Sequence, residues 1–90
     1  MDRTIITVIG KDSVGIIAKV CSYLANNNIN IMDITQTTMQ GYFNMMMLVD
    51  PSGSLKSHEE LSHELASIGR EIGVEIRCQK EEIFNMMHRI

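Results

Sequence analysis

Residues that could do chemistry are present in this chain, but they are not arranged for it. The three histidines are His58, His63 and His88. His58 and His63 are five residues apart, about 500° around a helix, so they do not share a face as metal ligands spaced by four would. Glutamates occupy the first two turns of the same segment, namely Glu59, Glu60 and Glu64. Negative charge there stabilises a helix through its dipole, which explains these carboxylates without acid–base catalysis. We therefore predict no catalytic residue and no metal site.

Hydroxyl and thiol side chains give no stronger signal. Ser13 and Ser57 each precede a predicted helix, have no His close in sequence and lie outside any Gly-x-Ser-x-Gly elbow, so helix capping explains both. Cys21 and Cys78 are far apart and belong to no Cys-x-x-Cys or Cys/His pair. We expect two free, buried thiols, with a disulfide or a metal ligand as the alternative. The sequence therefore predicts neither an enzyme nor a cofactor.

Composition excludes several classes of protein. A chain of 90 residues has room for one domain with a thin core. Its net charge of −3 and isoelectric point near 5.5 leave no basic surface to bind nucleic acid. No apolar run reaches the roughly 18 residues of a membrane helix, and no basic stretch precedes a signal core. We expect a cytoplasmic protein with no membrane segment and no direct contact with nucleic acid.

Hydrophobic periodicity and turn residues divide the chain into six elements that position these residues. The predicted elements are a strand over Arg3–Gly10, a helix from about Ser13 to Asn26, a bulged or edge strand over Ile29–Met39, a strand over Tyr42–Val49, a helix from Ser57 to about Ile72, and a strand over Val74–Lys80. This order predicts an α+β, ferredoxin-like fold. In it, a four-stranded antiparallel sheet carries two helices on one face.

A short tail follows the last strand. We predict a single domain over residues 1–81 and an amphipathic helical tail over residues 82–90. The apolar residues of the tail form a broad stripe: Ile83, Phe84, Met86, Met87 and Ile90. The predicted fold leaves the second face of the sheet uncovered, with Met and Ile side chains on the first and third strands. Because soluble monomers seldom expose such a patch, either a partner or the tail must cover it.

The connection between the first strand and the first helix is the remaining candidate site. Gly10 and Gly15 bracket a tight turn, with Asp12 or Ser13 as the predicted cap of the helix. The free backbone N–H groups at the start of a helix form a natural anion site, which would suit a small carboxylate. Alternatively, Gly15 only permits the helix to pack closely on a neighbouring backbone. The residues alone leave both interpretations open.

The segment GKDSVGIIAKV, followed by NNINIMDI and the strand pair, resembles an ACT domain from about Thr4 to Lys80. The resemblance is greatest to stand-alone, single-ACT proteins and to the ACT domains of glycine-cleavage transcriptional repressors. It implies a regulatory module that binds an amino acid or a similar small metabolite at an interface between two domains and performs no chemistry itself.

The resemblance also implies a set of binding residues. The loop position that often hydrogen-bonds the ligand falls on Asp12, and Ser13, Val14 and Gly15 complete the loop. Second-strand positions from the neighbouring domain fall on Asn30 and Ile31, the other two members of the implied site. Amino-acid-binding members often carry Asn where this chain has Asp12, and an ionised Asp accepts hydrogen bonds only. Asp12 would then receive the ammonium group of the ligand, or the site is vestigial and the domain serves only to dimerise.

Two functional hypotheses follow. In the first, the chain is a homodimer that senses a small molecule, an amino acid by preference, with binding shifting the stability of the dimer. In the second, it is an interaction module whose methionine-rich third strand and tail bind a partner enzyme or regulator without a ligand.

Overall fold

The computed structural model of this protein describes residues 3–11 and 14–82. Within them, four strands and two helices follow one another as β1 (Thr4–Lys11), α1 (Ile16–Asn26), β2 (Asn30–Met39), β3 (Tyr42–Asp50), α2 (His58–Ile72) and β4 (Val74–Lys80). The βαββαβ order and the ferredoxin-like fold predicted from the sequence are confirmed. The predicted tail helix falls mainly on residues 83–90, which lie outside the described residues.

The sheet is antiparallel throughout, in the order β2-β3-β1-β4. A two-residue turn joins β2 to β3, and both of its residues, Gln40 and Gly41, have positive φ as a tight hairpin requires. The register shifts between Ile31 and Asp33, which leaves Met32 as the extra residue of a bulge. The bulged or edge strand predicted over Ile29–Met39 is therefore confirmed. β2 and β4 form the two edges of the sheet.

Both helices pack on one face of the sheet, and the core lies between these two layers. α1 contacts β2 and α2, and α2 contacts β4. The buried apolar side chains of this core are Ile6, Val8, Ile16, Val20, Leu24, Ile29, Phe43, Met45, Met47, Val49, Leu61, Leu65, Val74 and Ile76. Two methionines of the third strand, Met45 and Met47, are therefore core residues, while Met46 between them points to the other face.

The second helix follows its sequence signals. Ser57 accepts a hydrogen bond from the Glu60 N–H, and the Glu60 carboxylate accepts one from the Ser57 N–H, so the predicted capping by Ser57 is confirmed and takes the form of a capping box. Gly73 ends the helix in a left-handed conformation, as is common for glycine at this position. Gly69 was not singled out from the sequence. A Cβ there would lie 2.6 Å from the Val74 carbonyl oxygen, so only glycine lets α2 approach β4 this closely.

The first helix differs from its prediction at its start. The helix begins at Ile16, with Gly15 as its N-cap, so the predicted start near Ser13 is wrong. Asp12 and Ser13, the predicted capping residues, lie outside the described residues. Gly15 has φ of 92°, which lies outside the right-handed helical region, so the residues before it cannot continue the helix. The end is as predicted, because Asn28 takes a left-handed conformation just beyond α1.

Candidate functional site

The turn between β1 and α1 leads to a helix start that receives no side-chain cap from the described residues. Gly15 and Val14 are exposed, and a glycine N-cap supplies no side-chain oxygen for the first N–H groups of α1. No acidic residue lies among the described residues of the first turn. These N–H groups and the positive end of the helix dipole can therefore receive an anion. Asp12 and Ser13, which the sequence analysis placed in this site, lie outside the described residues.

The conformation of Gly15 argues against the close-packing interpretation. A Cβ added at Gly15 would meet nothing within 4 Å among the described residues, so no close packing with them demands a glycine. Its φ of 92° does demand one, because side chains disfavour that backbone region. The glycine therefore shapes the turn and leaves open space beside it. Gly10 is the residue in close contact, since a Cβ there would lie 2.8 Å from Cγ1 of Val74.

The second group of predicted site residues lies at the other end of the molecule. Asn30 and Ile31 are exposed at the start of β2, at the end of the sheet where Thr4 pairs with Val49. The β1–α1 turn follows Lys11 at the opposite end of the sheet. Lys11 is seven residues from Thr4, about 23 Å at 3.3 Å per residue. The 11 residues of α1 span about 16 Å between the same two ends. The structure therefore does not bring Gly15 and Asn30 of one chain together.

An exposed apolar surface, here called the α1–β2 seam, joins these two regions. It consists of Val14, Ile17 and Ala18 from α1 and its turn, and Ile31 and Ile34 from β2. Ile34 is 43% exposed although its cross-strand neighbour in β3 is a core residue. The outer edge of β2 pairs with no strand within the described residues. Unpaired edges and exposed apolar patches are features of surfaces that bind another chain.

Sequence periodicity did not distinguish this seam from the core. By spacing alone, one apolar stripe on the predicted helix would comprise Val14, Ile17, Ala18, Cys21, Leu24 and Ala25. In the structure α1 instead buries Ile16, Val20 and Leu24 against the sheet. The helix therefore has apolar residues on two faces, and the face at the seam remains in solvent. The signal that could have revealed this is the excess of apolar residues in α1 over what one buried face requires.

A polar cluster holds the two helices in place beside the seam. The Tyr23 hydroxyl in α1 donates to Oε1 of Glu64 in α2 at 2.7 Å, and Nζ of Lys56 reaches the same oxygen at 2.6 Å. Burial, reinforced by the Glu64 carboxylate, raises the pKa of Tyr23. The hydrogen bond from Lys56, followed by that from Tyr23, lowers the pKa of Glu64. Charge-assisted bonds of this kind fix the orientation of α1, and therefore the direction of its N-terminus.

The remaining chemistry-bearing residues do not converge on a site. Cys21 and Cys78 are free, as predicted, but half-buried, and burial raises the pKa of the Cys78 thiol. Among residues 3–11 and 14–82, no group of three His, Cys, Asp or Glu side chains could hold a metal. His63 is exposed, whereas His58 lines a polar cavity of about 310 Å³ that the sequence did not reveal. None of the described helices is long and apolar enough to cross a membrane.

Comparison with known proteins identifies the family. A family model described as ACT domain matches residues 2–79. The chain belongs to the ACT domain family. It is 54% identical to a UPF0237 protein of Bifidobacterium longum over 90 residues, which is the whole of both chains. An ACT domain protein from Streptococcus pneumoniae has the same fold with a TM-score of 0.81 and 38% identity, covering 92% of this chain and 93% of that one. The resemblance stated from the loop motif is confirmed.

More distant ACT structures extend the comparison. The regulatory subunit of aspartate kinase from Thermus thermophilus is 29% identical, with a TM-score of 0.67, over 87% of this chain and 50% of that one. A protein described as a candidate glycine cleavage system transcriptional repressor shares the fold at 21% identity and a TM-score of 0.74, over 88% of this chain and 45% of that one. ACT domains are regulatory, ligand-sensing domains and not catalytic ones, which gives the broad functional class of this chain.

Proposed function

We propose that this ACT domain acts as a cytoplasmic homodimer that binds an amino acid across the seam between two chains, and that binding stabilises the dimer. The site would consist of Asp12, Ser13, Val14 and Gly15 from one chain and Asn30 and Ile31 from the other. The aspartate kinase subunit named above is a regulatory chain of the same family, which supports a regulatory role here.

The distance between the two halves of the site is the observation that carries this proposal. Gly15 and Asn30 lie at opposite ends of α1, about 20 Å apart by the rise of the sheet. One amino acid contributes at most about 3.6 Å of extended backbone, so it cannot contact both in one chain. If both contact one ligand, they must come from two chains.

Two-fold symmetry along the β2 edge would bring the halves together. Two copies of β2 related by a two-fold axis run antiparallel, so the start of each faces the end of the other. The register puts Met39, at the end of β2, level with Tyr42 and Lys11, where the β1–α1 turn begins. Asn30 of one chain would then be level with that turn of the other. The apolar side chains of the seam would be buried in the same contact.

The chemistry of the two halves suits a zwitterion. The N–H groups at the start of α1 would donate hydrogen bonds to the ligand carboxylate, because no acidic side chain lies in that turn among the described residues. Asp12 would accept hydrogen bonds from the ammonium group, as an ionised carboxylate can. Asn30 would add an amide that both donates and accepts. The protein would thereby place the positive end of α1 against the ligand carboxylate and a negative carboxylate against the ligand ammonium group.

Calorimetric titration of the full-length protein with each of the twenty amino acids tests the proposal. We expect one or a few to bind and to raise both the melting temperature and the dimer association constant, because a ligand held by two chains favours the dimer. Asn30→Ala should weaken binding about tenfold, the loss expected for one hydrogen bond. Asn44→Ala is the matched control, since Asn44 is exposed on β3 away from the seam. Absence of heat and of any shift with all twenty would contradict ligand sensing.

The alternative proposal is an interaction module that binds a partner protein without a ligand. The exposed seam favours it, because an apolar surface and an unpaired strand edge suit a protein partner as well as a second copy. The methionine-rich strand contributes less than the sequence suggested, since only Met46 of its three methionines is exposed. A monomer in sedimentation at micromolar concentration, with no response to amino acids, would favour this alternative.

A further inference from the structure

The face of the sheet opposite the helices carries a narrow apolar stripe, here called the central stripe. It consists of Ile5 and Ile9 on β1 and Met46 and Leu48 on β3. Leu48 lies opposite Ile5, Met46 lies opposite Thr7 between the two isoleucines, and Ile9 lies opposite Asn44. Ile9 and Met46 are 45% and 39% exposed, while Ile5 is 8% exposed. A groove of about 150 Å³ lies between β2 and β3 at the Ile5 and Leu48 end of this stripe. The stripe is two strands wide, so it is about 10 Å across with its side chains.

Polar and charged side chains border the stripe on both sides. β2 presents Asp33, Thr35 and Thr37 to this face, and β4 presents Glu75, Arg77 and Gln79, as their pairing with β3 and β1 requires. The Arg77 and Glu75 side chains contact each other at 3.4 Å and are more than half exposed. These borders favour an occupant no wider than the stripe.

The chain itself leaves the sheet at one end of the stripe. After β4, the Glu81 N–H donates to the Arg3 carbonyl oxygen, and the Glu81 carboxylate contacts Arg3 at 2.8 Å. Glu81 also lines the groove together with Ile5, Met46 and Leu48. The backbone is helical at Glu81 and Glu82. The chain that follows therefore starts beside the stripe.

We propose that residues 83–90 dock as a short helix along the central stripe of their own chain. Eight residues of helix span about 12 Å, and the stripe spans about 13 Å from Ile5 to Ile9. A helix is about 10 Å wide, the width of the two central strands. The apolar residues of the segment repeat at helical spacing: Ile83, Phe84, Met86, Met87 and Ile90. Asn85, His88 and Arg89 would face solvent.

The borders of the stripe argue against a second sheet as its occupant. Two sheets that pack face to face bury side chains from all their central strands over a wide area. Here that contact would remove the Asp33 carboxylate and the Arg77–Glu75 ion pair from water, which costs several kcal/mol for each ion that gains no new partner. A helix over β1 and β3 leaves both in solvent. The proposal thus assigns the sheet face to the tail and leaves the α1–β2 seam as the surface for dimerisation, and it does not depend on ligand binding.

Methyl NMR on the full-length protein tests the proposal. With labelled methyl groups on methionine, isoleucine and leucine, we expect contacts from Met86 and Met87 to Ile5, Met46 and Leu48. An isotope-filtered experiment on equal amounts of labelled and unlabelled chains distinguishes contacts within a chain from contacts between chains. Contacts within one chain support the proposal. Contacts found only between chains, or none to the stripe, overturn it.

A matched pair of variants gives a second measurement. Met46→Glu puts a charge in the stripe, and it should lower the amide-exchange protection of residues 83–90 about tenfold or more. Met39→Glu makes the same substitution on the same face but outside the stripe, at an already 74% exposed position, and should leave that protection unchanged. Equal effects of the two variants, or no effect of Met46→Glu, would overturn docking on the stripe.

Discussion

Mixing two binding-deficient variants should restore binding if the ligand site is shared between chains. Asn30→Ala removes the part of the site on β2, and Asp12→Ala removes the part on the β1–α1 turn. Each change deletes one hydrogen-bonding group, so each homodimer should bind about tenfold or more weakly than the wild type at both of its sites. In a hybrid dimer, one site receives both altered residues and the other receives neither. That second site is intact.

The size of the recovery follows from the symmetry of the dimer. Random exchange between equal amounts of the two variants makes about half of the dimers hybrid, and each hybrid has one intact site of two. About one quarter of all sites should then bind with the wild-type Kd. The remaining sites should titrate more weakly. The expected fraction of one quarter depends on the separation of about 20 Å between Gly15 and Asn30, because that distance excludes a site within one chain.

Calorimetry on the mixed sample measures the recovery, after mass spectrometry has verified that chains have exchanged. A mixture that titrates as the sum of its two homodimers would refute the shared site, since each chain would then carry its own complete and damaged site. Unchanged binding by either single variant would show instead that its residue is not part of the site. Wild-type melting curves for both variants ensure that lost binding is not lost folding.

Three further predictions concern the seam and the framework that supports it. Ile34→Asp should weaken dimerisation about tenfold to a hundredfold in sedimentation equilibrium, because it places a charge in a contact that occurs twice by symmetry. Gly69→Ala should lower the melting temperature by about 5–15 °C, since its Cβ would lie 2.6 Å from the Val74 carbonyl oxygen. Ser67 is exposed on the same helix, so the control variant Ser67→Ala should leave the melting temperature unchanged. The pKa of Glu64 is lowered in the folded protein, so its ionised carboxylate stabilises the fold. This stabilisation is complete above the ordinary pKa of 4.5 and is lost as the pH falls below that value. Glu64→Gln should therefore flatten the acid side of a plot of melting temperature against pH.

Local signals in the sequence predicted most of the fold because each depends on neighbouring residues. The capping box of Ser57 and Glu60, the Gln40-Gly41 reversal and the alternation of β4 involve residues within four positions of one another. The start of α1 was predicted too early because Ser13 is a good cap by type. The left-handed conformation of Gly15 could not be predicted, because glycine can adopt this conformation but does not have to.

The site could be predicted only in part, because its geometry is not local. The resemblance of the loop motif selected Gly15 and Asn30, but no spacing in the sequence indicates that they lie at opposite ends of α1. The two apolar faces of α1 share Leu24, so periodicity alone could not tell which face the sheet covers. The role of Gly69 could not be predicted for the same reason, since its close contact is with the backbone of a later strand.

A domain with no catalytic residues can still transmit a signal through its assembly. A ligand present at a hundred times its Kd stabilises the form that binds it by about 2.7 kcal/mol per site, and a two-fold dimer has two such sites. The dimer constant would therefore increase by several orders of magnitude between the empty and the saturated protein. That response requires a contact that is weak without ligand. The seam satisfies the requirement, because its exposed apolar residues are few and its three isoleucines are already more than half covered within one chain. A second exposed apolar face would hold two chains together whether or not the ligand was bound. Covering the central stripe with the tail would therefore also keep the dimer contact weak without ligand.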